Sequence, residues 1–261
     1  MSEHRYLLDN RQAEAGRRFD ALSELFDPWT FRHMEALGLA PGWSVWEVGA
    51  GGSTVPAWIT GRTGGRVLAT DIDTSWLDAP DPGVEVRRHD VGTDPAPEGP
   101  FDLVHARLVL VHVEQRLDAL ASMVGALRPG GWLLVEEADP GLQPLACPDE
   151  AGDEERLANR LKVGFRELMA ARGADLSFGR TLPRLLRRAG LVDVASDAYF
   201  PMGGPACNAL ERATVEQIRR RLIDSGLATE AEIDRHLAAV DAGRLDLATS
   251  PLVSAWGRMP G

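Results

Sequence analysis

Val45-Trp46-Glu47-Val48-Gly49-Ala50-Gly51-Gly52-Ser53 is the stretch of this chain that decides its fold. A short apolar run carrying one acid breaks into glycines. That is the pattern of a buried strand running into a tight turn, where a ligand can approach bare backbone. A second strand-like run, Arg66-Val67-Leu68-Ala69-Thr70-Asp71, ends in an acid about twenty residues further on, the spacing at which a carboxylate meets a ribose diol. A third run, Val84 to Asp90, also ends in an acid, placed to accept from an exocyclic amine of a base. The chain is therefore expected to bind a nucleoside-containing cofactor at the first strand-to-helix turn of a parallel sheet.

Details of the turn select among cofactors. The dinucleotide fingerprint uses three glycines and points a helix N-terminus at a pyrophosphate. Here the third glycine position is Ser53, and Glu47 stands just ahead of Gly49. A carboxylate there repels a diphosphate and suits a cation. S-adenosylmethionine carries a sulfonium and an ammonium and no phosphate. At this point the chain resembles the class I S-adenosylmethionine-dependent methyltransferases. Glu47 to Ser53 looks like their first motif, Asp71 like the ribose acid, and His89-Asp90-Val91 like the adenine motif. Phe101-Asp102-Leu103-Val104-His105-Ala106 looks like their fourth strand, and Leu127 to Glu136 like the turn and fifth strand. Five motifs in order over residues 43–140 make the resemblance specific, closest to small-molecule enzymes of quinone biosynthesis and natural-product tailoring.

The resemblance implies a cofactor site built from Tyr6, Glu47, Gly49, Ala50, Gly51, Asp71, Ile72, Asp90, Val91, His105 and Ala106. It implies an α/β fold: a Rossmann-like, seven-stranded, mostly parallel sheet with helices on both faces and a helical cap. Residues 1–42 then form an N-terminal helical lid. Residues 43–261 form the methyltransferase domain, with a cap inserted at about 205–247 between two antiparallel final strands.

Periodicity along the chain agrees with this layout. Apolar residues at helical spacing over 4–38 predict two or three helices, broken near Asp27-Pro28. Strands are predicted at 43–48, 66–71, 84–89, 101–105, 132–137, 191–200 and 252–256. Helices are predicted from Ser53-Thr54 and over 114–127, 153–172, 182–189, 210–225 and 230–241. Strands alternating with helices mean parallel pairing and ligands at the carboxyl ends of the strands.

Composition narrows the partners. The net charge of −11 argues against nucleic acid, which asks for a basic face. No apolar run reaches a membrane span, and Met1-Ser2-Glu3-His4-Arg5 lacks the layout of a signal peptide, so a cytoplasmic protein is expected. One lysine, Lys162, stands against 27 arginines, which reflects the codon bias of a GC-rich genome. Cys147 and Cys207 show no metal or redox spacing, and the six histidines form no zinc pattern, so no metal is expected. The oligomeric state is open, with a homodimer among the options.

Methyl transfer is a displacement at a carbon already activated by the sulfonium, so proximity and alignment do most of the work. A base is needed only for an acceptor, such as a hydroxyl, that keeps its proton. His105, at the end of the fourth strand, is the candidate catalytic residue. The alternative is that its ring packs against the cofactor or a helix. Arg107 either holds an anionic substrate or pairs with Asp102 or a helix acid, and His112 reads as structural. The expected function is methyl transfer to a small molecule, first of all to a hydroxyl of a mid-sized metabolite. Two alternatives stand beside it: an S-adenosylmethionine-binding protein without methyl transfer (a scaffold or cyclase-type helper), and a nicotinamide-dependent reductase. The reductase is disfavoured by Glu47, by Ser53 and by the lack of a Tyr-x-x-x-Lys pair.

Overall fold

The computed structural model describes Leu7 and residues 13–77 and 81–261, with the side chains of 13–15 left aside. The chain divides into two compact units. The sheet unit takes Asp27–Ala138, Ser177–Tyr199 and Leu252–Gly261; the helical unit takes Met1–Phe26, Asp139–Leu176 and Phe200–Pro251.

The sheet unit holds seven strands: β1 Val45–Val48, β2 Val67–Asp71, β3 Val84–Arg88, β4 Phe101–Arg107, β5 Leu127–Ala138, β6 Val192–Tyr199 and β7 Leu252–Arg258. Their order is β3-β2-β1-β4-β5-β7-β6. β7 alone runs antiparallel to its neighbours, β5 and β6. Its helices are the second half of α1 (Ala13–Ala36), then α2 (Thr54–Thr63), α3 (Arg116–Gly125) and α5 (Leu182–Arg188).

Side-chain alternation splits the strands into two apolar faces. Val45, Val67, Ala69, Leu103 and Leu134 join Met34 of α1 and Val55 and Ile59 of α2 in one cluster. The residues between them, Trp46, Val48, Leu68, Val104, Ala106, Leu133 and Val135, join Leu120 and Met123 of α3 and Leu182 and Leu186 of α5 in the other. Every residue of β1 and β2 is buried, as a sheet covered on both faces requires. Along the face shared with α1, the apolar residues give way to polar ones toward the carboxyl ends: Val45 to Glu47, Leu103 to His105 and Arg107, Leu134 to Glu136. In β7, which runs the other way, Ser254 stands beside Glu136.

The helical unit packs α4 (Asp153–Ala170), α6 (Pro205–Asp224) and α7 (Glu230–Asp241) around Leu157, Leu161, Ile218, Leu222, Ile233 and Leu237. It thus draws in α4, which precedes the segment expected to form a cap. A capping box fixes the start of α7: Thr229 accepts from the Glu232 N–H, and the Glu232 carboxylate accepts from the Thr229 N–H.

One expectation fails. No break occurs at Asp27-Pro28: α1 is continuous across Pro28. Proline in a helix interior costs about 3 kcal/mol or more through its missing donor and its ring. The residues that follow offset it, because Thr30, His33 and Met34 are all buried. Residues 1–6 and 8–12 lie outside the described residues.

Ile59, fully buried at the centre of the α1/α2 face, ties the helix that follows the glycine turn to the sheet. Ile59→Ala should lower the unfolding free energy by about 2–5 kcal/mol. Urea denaturation measures this; a loss below ~1 kcal/mol would show that α2 is held some other way.

Candidate active site

The glycine turn follows β1 directly. Gly49 and Gly51 have φ of +62° and +63°, a region that L side chains rarely adopt. A Cβ at Gly49 would stand 2.4 Å from Cγ2 of Val109, so this position is closed to any side chain on steric grounds as well. The turn is tied to β2: the Ala50 N–H donates to the Thr70 carbonyl at 3.0 Å. The Gly51 N–H donates to Oδ2 of Asp71 at 2.9 Å, and Oδ1 of Asp71 accepts from the Asp73 N–H at 3.0 Å. Burial pushes the Asp71 carboxyl above its ordinary range, against the pull of these two amides. The Ile72 amide also pulls on this carboxylate, which has about four acceptor positions, so one is left for a hydroxyl.

Asp90 sits past β3, half-buried, its Oδ1 accepting from the Gly92 N–H at 3.0 Å. Ile72 is 46% exposed beside the buried Asp71. Val91 and Ala106 are buried in the α3-side core, so their side chains serve packing. Tyr6 lies outside the described residues.

The second part of the site is a buried polar cluster under the carboxyl ends of β1, β4 and β5. The register sets Glu47 beside His105, and Arg107 beside Glu136. His105 is fully buried, with a carboxylate at each ring nitrogen: Nδ1 lies 2.6 Å from Oε2 of Glu47 and Nε2 lies 3.3 Å from Oε2 of Glu136. Burial opposes charge on the ring, but the two carboxylates outweigh it and hold His105 at about 9. Glu136, also fully buried, accepts from Ser254 Oγ at 2.6 Å and from Thr30 Oγ1 of α1. His33 Nδ1 stands 3.3 Å from Oε1 of Glu136, within ion-pair reach but not aligned as a hydrogen bond. Burial alone would raise Glu136; His105, His33 and Arg107 instead hold it well below the usual carboxylate range.

The cluster extends through α1 in two directions. Arg107 donates to Thr30 Oγ1 at 3.0 Å and to Oδ1 of Asp27 at 2.6 Å. His33 Nε2 lies 3.0 Å from Oδ1 of Asp197 on β6, and burial is outweighed by Glu136 and Asp197, which raise the His33 pKa. The Arg107 partner is therefore a helix acid and not Asp102, which accepts instead from the Ser44 N–H at 2.7 Å and from Arg128 Nε at 2.5 Å.

Thr30, His33, Glu136, Asp197 and Ser254 were missed by motif reading. One signal was available: Glu136-Glu137 ends the apolar run Leu133-Leu134-Val135, and in a strand covered on both faces two consecutive acids must both be buried.

Residues 46–135 match the family model described as "Methyltransferase domain". The Strobilurus tenacellus methyltransferase str3 is 38% identical over 95 residues, which is 35% of this chain and 31% of that protein. The ubiquinone/menaquinone biosynthesis C-methyltransferase UbiE of Vibrio cholerae is 30% identical over 146 residues, 49% of this chain and 56% of that protein. Over residues 46–135 the chain carries a methyltransferase domain, and these relatives support a class I S-adenosylmethionine-dependent methyltransferase. It spans about a third to just over half the length of these two relatives. The fold agrees: phosphoethanolamine N-methyltransferase 2 of Haemonchus contortus, solved with S-adenosyl-L-methionine, superposes with a TM-score of 0.61 at 16% identity, covering 100% of this chain and 61% of that one.

The methyltransferase match ends at Val135, one residue short of Glu136, and begins one residue before Glu47. The residues at the turn fit S-adenosylmethionine. The bare backbone of Gly49 and Gly51, the buried Asp71 carboxylate and the acid Glu47 suit a diol and a cation and disfavour a diphosphate.

The sign of the His105 shift fixes a pH dependence. Its folded value of about 9 lies above the ordinary 6.5, so its contribution to stability is complete below about 6.5 and is lost as pH rises toward 9. Denaturation at pH 6.5, 7.5 and 9 should show that loss in the wild type. His105→Gln should reduce the slope to the part that Glu137, at about 8, still contributes, and cost about 3–5 kcal/mol at pH 6.5, because two buried carboxylates lose their cation. An unchanged slope in the variant would assign the titration to another group.

Proposed function

We propose that this methyltransferase transfers a methyl group to a small molecule, with the hydroxyl of a mid-sized metabolite as first choice of acceptor. The coupled Gly51–Asp71 contact carries the cofactor part of this reading, since it puts a desolvated carboxylate beside bare backbone at the turn. Asp71 would hold a ribose hydroxyl and Asp90 the adenine amine, while Glu47 supplies negative charge near the methionine ammonium. S-adenosylmethionine supplies the activated methyl group. What is left to the protein is alignment and an outlet for the acceptor proton.

His105 enters this reading through Glu47. With both ring nitrogens engaged by carboxylates, it orients Glu47 and neutralises part of the buried negative charge. Service as a general base would require the ring to lose a proton and give up one of these two contacts. The two roles divide on pH: a base near neutrality gives a rate that follows its ionisation, whereas a clamped imidazolium gives none below about 9.

Acceptor choice is assigned to the lid over 1–42 and the cap over about 205–247, and lids of this kind often gate access. In support, the chain leaves the sheet at the carboxyl ends of β5 and β6 and returns at the start of β7. Ligands of α/β sheets bind at that edge. The relative UbiE, named for ubiquinone and menaquinone biosynthesis, suits quinone metabolism as one setting, and natural-product tailoring stands beside it as the other. Cytoplasmic residence, a homodimer and the absence of nucleic-acid and membrane partners complete the proposal. Among the described residues no helix is long and apolar enough to cross a membrane.

Calorimetry with S-adenosylhomocysteine and with a nicotinamide dinucleotide tests the reading. The first should bind and the second should not; the reverse result sinks it. Asp71→Ala should weaken S-adenosylhomocysteine roughly ten- to a hundredfold, the effect of losing about 1.5–3 kcal/mol of charge-assisted hydrogen bonding. Equal affinity in the variant would remove Asp71 from the site.

A further inference from the structure

Glu137 follows Glu136 in β5 and therefore faces the other side of the sheet. It too is fully buried. Its Oε1 accepts from two consecutive backbone amides beyond β4, Val109 at 3.1 Å and Leu110 at 2.6 Å, while Oε2 meets no hydrogen-bond partner among the described residues. Burial pushes the carboxyl up to about 8, against the pull of the amides of Leu110, Val109 and Val111.

The segment after β4 needs such a partner. Leu108-Val109-Leu110-Val111 contains no polar side chain, and Val109 begins the short 3₁₀ turn Leu110–His112 without a side-chain cap. Leu108 has φ of +58°, the left-handed region, which a leucine keeps only when its surroundings hold it there. Held in this way, Val109 packs its side chain directly on the backbone of Gly49, where a Cβ would come within 2.4 Å of it. Contacts therefore run from Glu137 through Val109 to the glycine turn.

We propose that Glu137 is a positioning residue for the cofactor turn: it fixes Val109 against Gly49 and thereby sets the backbone that receives the cofactor. The proposal rests on the assignment of that turn to S-adenosylmethionine. Glu137 touches no reacting atom, and a merely structural acid in its place would affect stability and leave the affinity of the folded protein alone.

Calorimetry with S-adenosylhomocysteine separates these roles, run on the full chain below its melting temperature. Glu137→Gln keeps a carbonyl acceptor for both amides and should bind within about threefold of wild type. Glu137→Leu keeps the volume and removes the acceptor; it should bind at least about tenfold more weakly, with fast hydrogen exchange at the Val109 and Leu110 amides. Val109→Ala leaves Glu137 in place and removes the packing on Gly49; it should also weaken binding by about tenfold. A folded Glu137→Leu with wild-type affinity overturns the proposal. If that variant does not fold, wild-type affinity in Val109→Ala overturns it. Failure of the wild type itself to bind S-adenosylhomocysteine withdraws the cofactor assignment and this proposal with it.

Discussion

His105 is a fully buried ring with a carboxylate at each nitrogen, and much of the sheet unit is arranged around that fact. Two acids side by side in a dry interior repel each other and resist ionisation. A cation between them reverses both effects. With His105 charged, Glu47 and Glu136 are compensated, and Glu136 has enough donors to occupy its oxygens: His105, Thr30 and Ser254, with His33 at ion-pair distance. The cluster fastens the second half of α1 to β4, β5 and β6 beside the apolar contacts that Met34 makes with the sheet. It also explains why α1 runs through Pro28 without breaking, since the residues just beyond the proline are those the cluster holds.

The same strands carry a gradient along their length. On the α1 face, apolar side chains give way to Glu47, His105, Arg107 and Glu136 toward the carboxyl ends. On the opposite face the last side chain of the run Leu133, Val135, Glu137 is also an acid. The lower part of the sheet is thus conventional core, and the polar residues collect at the edge where α/β sheets bind ligands. These buried charges cost desolvation that hydrophobic replacements would avoid. Their retention at that edge is what a site requires and what a core alone does not.

Strand and helix positions were legible because each is a local property. The alternation and glycine breaks around Val45–Ser53, and the acids ending the second and third runs, predicted strands that the structure reproduces within a few residues. The final antiparallel pair at the sheet edge was legible only through family resemblance, and the structure has it as β6 and β7. The partners of the buried cluster were not legible, because they are distant in sequence: Thr30 meets Glu136 across 106 residues and Ser254 meets it across 118. Periodicity carries no information about such pairs. The break at Pro28 failed for the related reason that a local rule about proline yielded to contacts made elsewhere.

His105 stands as an imidazolium locked between two carboxylates, and its ionisation can be measured. Nitrogen-15 NMR of histidine-labelled protein, with His105 assigned by His105→Gln among the six histidines, reports the protonation of each ring nitrogen. Both nitrogens of His105 should be largely protonated from pH 6 through pH 8, with half of the proton lost near 9. A neutral ring with a single protonated nitrogen at pH 7 would contradict this assignment.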